Sequence, residues 1–90
     1  MERQVRHMDL TTMKNIGAEM KRKLQFIGIS NSEELSSVGS KEAYLRLKFA
    51  YPEICLVHLY ALQGAIDNLN FNMLSAETKN ELKEFCDNLR

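Results

Sequence analysis

Two cysteines, one proline and two histidines are all that 90 residues hold of these types, and the formal net charge is zero. Cys55 and Cys86 are too few, in a chain this long, for a disulfide framework. They read as free thiols in a reducing, cytoplasmic setting. No stretch alternates apolar and polar residues with period two, so no strands are predicted. No apolar run approaches the roughly 20 residues a bilayer demands. No secretory or transit signal is read at the front of the sequence. Charge balance also argues against a strongly polyanion-seeking surface, although the distribution is uneven. Residues 1–25 carry a net +3, residues 26–50 are neutral, and residues 51–90 carry −3. What remains is one small globular domain, near the lower limit of size for a self-sufficient core.

The richest apolar stretch is Glu53–Leu69, EICLVHLYALQGAIDNL, in which only His58 and Gln63 interrupt the run from Ile54 to Ile66. A helix apolar nearly all round is a buried helix, so the other elements should wrap this one. Pro52 suits a first helical turn, and Glu53 would then complement the helix dipole.

The remaining punctuation predicts short helices on either side. Residues 1–8 show no periodicity and read as a flexible lead-in, with one domain over 9–90. Asp9 or Thr11 caps a short helix that faces Leu10 and Met13 inward and stops at Asn15-Ile16-Gly17. A second helix runs from Ala18 to Ile27, closed by Gly28. Ser30-Asn31-Ser32-Glu33 is spaced as a capping box and opens a helix from Asn31 to Ser37 with Leu35 inward. A fourth spans Lys41–Tyr51, with Ala43, Leu45, Leu47 and Phe49 or Ala50 buried to varying degrees. After the central helix, Phe71, Met73 and Leu74 should pack back on the body. Ser75 caps a last helix carrying Leu82, Phe85, Cys86 and Leu89 on one face. The fold class is therefore all-α.

Two segments echo one another 22 positions apart: Met13-Lys14-Asn15-Ile16-Gly17 and Leu35-Ser36-Ser37-Val38-Gly39. Each ends a short helix and begins the next at once. These hairpins resemble the helix-hairpin-helix motif, whose apolar–Gly–apolar–Gly turn holds a nucleic-acid phosphate on backbone N–H groups. The resemblance places phosphate contacts on Asn15, Ile16, Gly17 and Ala18, with Ser37, Val38, Gly39 and Ser40 as the second, more structural hairpin. Asn15 and Ser37 replace the motif's first glycine. Lys14, Lys21, Arg22 and Lys23 lie nearby and would add cations to the first hairpin.

A wider resemblance covers nearly everything from Leu10 onward. The segments NIG, GIS-x-x-EEL, VG-x-x-EAYLRLK and LYAL-x-GAI together are similar to the C-terminal domain of TfoX, a family of bacterial regulators of DNA-transformation competence. That resemblance implies about five helices and a role in competence or its regulation. Fuller members carry a separate N-terminal domain, which these 90 residues do not include.

Catalysis has little support. Cys55 and His58 are three apart, a spacing that can share a metal or activate a thiolate, but no further Cys or His clusters with them. A core cysteine beside a hydrogen-bonded histidine is the simpler reading, and Glu33-Glu34 reads as helix N-terminal charge. No enzyme, metal site or cofactor is expected. The expected partner is DNA, through its phosphates. The competing class is an interaction module that engages a transcription regulator or self-associates, with Tyr44, Tyr51, Phe71 and Met73 as contacts.

Overall fold

The structure, a computed structural model, describes residues 9–89. The lead-in read over residues 1–8 lies outside them. Five helices form, and no strand occurs among the described residues: α1 (Ala18–Phe26), α2 (Ser32–Val38), α3 (Ser40–Ala50), α4 (Leu56–Asp67) and α5 (Ala76–Asp87). Two 3-10 turns, Leu10–Thr12 and Phe71–Met73, precede α1 and α5. The all-α class holds, with α4 at the centre, packed against α2, α3, α5 and the second turn. Leu59 and Leu62 of α4 are fully buried with Leu10, Leu24, Leu35, Leu47 and Leu82 from the surrounding elements.

Helix starts follow local chemistry where a polar side chain is available. The Asp9 carboxylate accepts the Thr11 N–H at 3.0 Å and opens the first turn. Ser75 accepts the Thr78 N–H at 3.1 Å and opens α5. At α2 the box is displaced by one residue from Ser30/Glu33. Asn31 accepts the Glu34 N–H at 2.9 Å, and the Glu34 carboxylate reaches back to the Ser30 N–H at 2.6 Å. Asn31 caps as well as serine does and has the extended backbone of an N-cap, and α2 runs from Ser32 to Val38.

The central helix begins three residues later than the proline suggested. Ile54 N–H bonds the Tyr51 carbonyl at 3.0 Å, so Pro52 and Glu53 form a turn, the place where proline's fixed φ is equally suited. Lys48 holds that turn by donating to the carbonyls of Pro52 (3.0 Å) and Ile54 (2.7 Å). Glu53 faces Lys23 at 3.4 Å and is not part of the helix. Nor is α4 covered all round, since Val57 is exposed at its start.

Three further expectations shift outward. On α3 the inner stripe is Ser40, Ala43, Tyr44 and Leu47, at i, i+3, i+4 and i+7, which leaves Leu45 and Phe49 on the solvent side. Phe71 and Met73 point away while Leu74 alone of that connection is buried. Leu89 lies beyond the end of α5 and is exposed as well. Tyr44, read as a contact residue, belongs to the core, and burial pushes its phenol above the ordinary range, with Cys86 adding to the effect.

Candidate nucleic-acid interface

The first hairpin is anchored by the residue that departs from the glycine pattern. Asn15 adopts the left-handed backbone, φ 71°, which its short polar side chain tolerates. Its carboxamide nitrogen donates to the carbonyls of Leu69 (2.9 Å) and Ala61 (3.2 Å), and its oxygen accepts the Phe71 N–H at 3.0 Å. Ile16, next along, is buried in the core. Asn15 and Ile16 thus face the protein, and Gly17 and Ala18 face solvent.

Gly17 is the N-cap of α1 in an extended conformation (φ −97°, ψ −173°), with no side chain to cap the helix. Among the described residues the N–H groups of Gly17, Ala18 and Glu19 meet no protein acceptor. An added Cβ at Gly17 would find nothing within 4 Å. The turn therefore presents open donors at the positive end of the helix dipole.

The cations around it are unequal. Lys14 is exposed and forms no ion pair among the described residues. Lys21 pairs with Asp9 at 2.6 Å, Arg22 with Glu19 at 2.7 Å, and Lys23 bridges Glu19 (3.7 Å) and Glu53 (3.4 Å) while lying over the Tyr51 ring. The Lys21 hydrogen bond, followed by those from Thr11, holds the Asp9 carboxyl down at about 2. Arg22 likewise lowers that of Glu19. Of these four, among the described residues, Lys14 alone is uncommitted, a difference invisible in a count of basic residues.

The second hairpin differs in backbone and in surroundings. Gly39, at φ 90° and ψ 159°, both ends α2 and begins α3, again without a side-chain cap. Ser40 behind it is buried and donates to the Gln63 side chain at 2.5 Å. The groove there is about 610 Å³ and is lined by Glu42, Asp67 and Glu81 with Lys41 as its cation. Lys41 is paired with Glu81 at 3.2 Å, so carboxylates dominate.

Cys55 and His58 lie together, yet not in the core. Cys55 is the exposed N-cap of α4, and the His58 ring nitrogen Nδ1 accepts the Cys55 N–H at 3.0 Å. The thiol is 3.6 Å from the same nitrogen. This pair starts a helix, with histidine in the role glutamate usually takes. Among the described residues no three His, Cys, Asp or Glu side chains converge as metal ligands would.

Solved structures of the same shape exist. An uncharacterized protein from Listeria monocytogenes, in a triclinic crystal form, is 38% identical with a TM-score of 0.88, over 90% of this chain and 92% of that one. A Listeria monocytogenes protein of unknown function in a tetragonal form is also 38% identical, with a TM-score of 0.87, over 91% and 100% of the two chains. No curated protein gives a significant match. The TfoX C-terminal domain matches residues 6–86, beginning inside the segment read as a lead-in. With that match across most of its length, the chain belongs to the TfoX C-terminal domain family.

Proposed function

We propose that this domain is a non-enzymatic, competence-associated regulator that touches nucleic-acid phosphates through its first hairpin. The observation that carries the reading is the uncapped start of α1: open N–H donors at Gly17, Ala18 and Glu19, beside the uncommitted Lys14. A phosphate there would accept from the backbone and pair with Lys14. Lys21 and Arg22 supply further charge only by leaving Asp9 and Glu19. Both ion pairs are solvent-exposed, and such pairs are easily exchanged. Asn15 and Ile16 serve by holding the turn in place. The second hairpin, edged by carboxylates, repels phosphate and is structural.

Contacts of this type give affinity without base readout, and with few cations the affinity should be that of non-specific complexes, about 10⁻⁴ to 10⁻⁶ M. Fluorescence anisotropy of a labelled duplex against salt tests this. Lys14→Ala should weaken binding to all sequences alike and reduce the log–log salt slope by about 0.9. Asp9→Asn should act in the opposite direction, because it releases Lys21. Absence of binding by the parent chain at low salt would overturn the reading.

A further inference from the structure

We infer that the outer face of α3 is the interface of a two-fold homodimer, with Phe49 as the central knob. Phe49, in the last turn of α3, is 93% exposed, an extreme for a phenylalanine. It stands between two shallow grooves. One, of about 430 Å³, lies toward Phe26 and Ala50; the other, of about 570 Å³, lies toward Tyr44, Cys86 and Leu89. Leu45 and Phe49 line both grooves, so a projecting ring and apolar hollows occupy one patch.

A surface that carries both knob and socket is complementary to itself, which is what a two-fold interface requires. The area points the same way. A stable interface removes about 800 Å² per partner, and each buried aromatic side chain contributes about 150–250 Å². Phe49 and Phe26, at 93% and 72% exposure, would provide about a third to a half of that, and Leu45 and Leu89, at 38% and 43%, extend the patch on either side. Charge agrees with this occupant. Across a two-fold axis each charge approaches its own copy, so an unpaired cation at the centre would repel. Arg46 is already bound to Glu42 at 3.0 Å, and Lys48 is turned back onto the carbonyls of Pro52 and Ile54. A segment of extended peptide would fill a groove but would leave the Phe49 ring standing in water.

Analytical ultracentrifugation of the full 90-residue chain from low to high micromolar concentration tests the inference without reference to DNA. The parent mass should rise with concentration from 10.4 kDa toward twice that value. Phe49→Asp should stay monomeric throughout, and because its side chain is exposed it should keep the parent's helical circular dichroism and the melting the parent shows at its lowest concentration. Alkylation of Cys86, which lines the second groove, should slow in the parent as concentration rises and not in Phe49→Asp. A parent that remains at 10.4 kDa at the highest concentration, or a Phe49→Asp variant that dimerises equally well, would overturn the inference and assign the face to a different protein.

Discussion

Asn15 fits against Gly64 with no room for a methyl group between them. A Cβ built on Gly64 would lie 2.6 Å from the Asn15 carboxamide nitrogen and 2.5 Å from the Leu69 carbonyl oxygen. That bare stretch of α4 lets the first hairpin come close enough for Asn15 to bridge Ala61, Leu69 and Phe71. The end of α4 is shaped for the same purpose. Asn68 turns left-handed (φ 61°), and Leu69 N–H returns to the Gly64 carbonyl at 2.8 Å.

Gly64→Ala should therefore destabilise the domain by about 1–3 kcal/mol, since the obstacles are a backbone oxygen and a side chain held by three bonds. Asn15→Ala should cost a similar amount, about 1–3 kcal/mol, because it strands the partners of the carboxamide. Urea unfolding of the two single variants and the double variant measures both. The double should cost less than the sum, as loss of Asn15 removes one of the two obstacles and leaves only the Leu69 carbonyl.

The hairpin glycines should part company under the same substitution. Gly39 occupies a backbone region open almost only to glycine, so Gly39→Ala should lose about 1–3 kcal/mol. Gly17 is extended with open space around it, and Gly17→Ala should stay within about 1 kcal/mol of the parent. Equal losses in thermal melts would show that the two turns share a constraint their backbones do not reveal.

Asp9 links stability to acid. Its folded carboxyl titrates at about 2, below the ordinary 3.8, so its contribution is complete above that ordinary value and is lost as pH falls toward 2. Melting curves taken across this interval should converge for the parent and Asp9→Asn. Asparagine caps as well as aspartate, so the two should differ at neutral pH only through Lys21.

Leu59→Ala and Leu62→Ala should each cost about 2–5 kcal/mol, as deletion of a fully buried leucine does. In a domain this small either change can unfold much of the population, which circular dichroism at a single temperature will report.

Helix content and the place of most turns, though not the one at Pro52, were legible because Gly17, Gly28, Gly39, Asp9 and Ser75 act locally. The sides of helices were less so. The apolar run before Gly64 reads as buried throughout, yet burial depends on which neighbours arrive, and none covers Val57. Leu45 and Phe49 have the composition of core residues, but the stripe through Ala43, Tyr44 and Leu47 already satisfies α3. His58 was placed near Cys55 correctly and in the wrong medium, because Pro52 could begin a helix or a turn, and the Tyr51–Ile54 bond and the Lys48 clasp favour the turn. In the candidate interface the open turn at Gly17 was readable from spacing. The commitment of Lys21 to Asp9 spans 12 positions, and no local pattern announces it.

The reach of Asn15 has a consequence for the order in which the molecule can be made. Its partners lie 46, 54 and 56 positions further along the chain. A nascent chain that has emerged only as far as α3 already contains the whole first hairpin and none of the atoms that the Asn15 side chain bonds. A hairpin synthesised well before its partners is thus among the last parts of the domain to acquire its final form, since contacts so distant in sequence close late. A ribosome stalled before residue 61 should display an Asn15 side-chain amide that exchanges freely, and one stalled well past residue 71 should display the same amide protected.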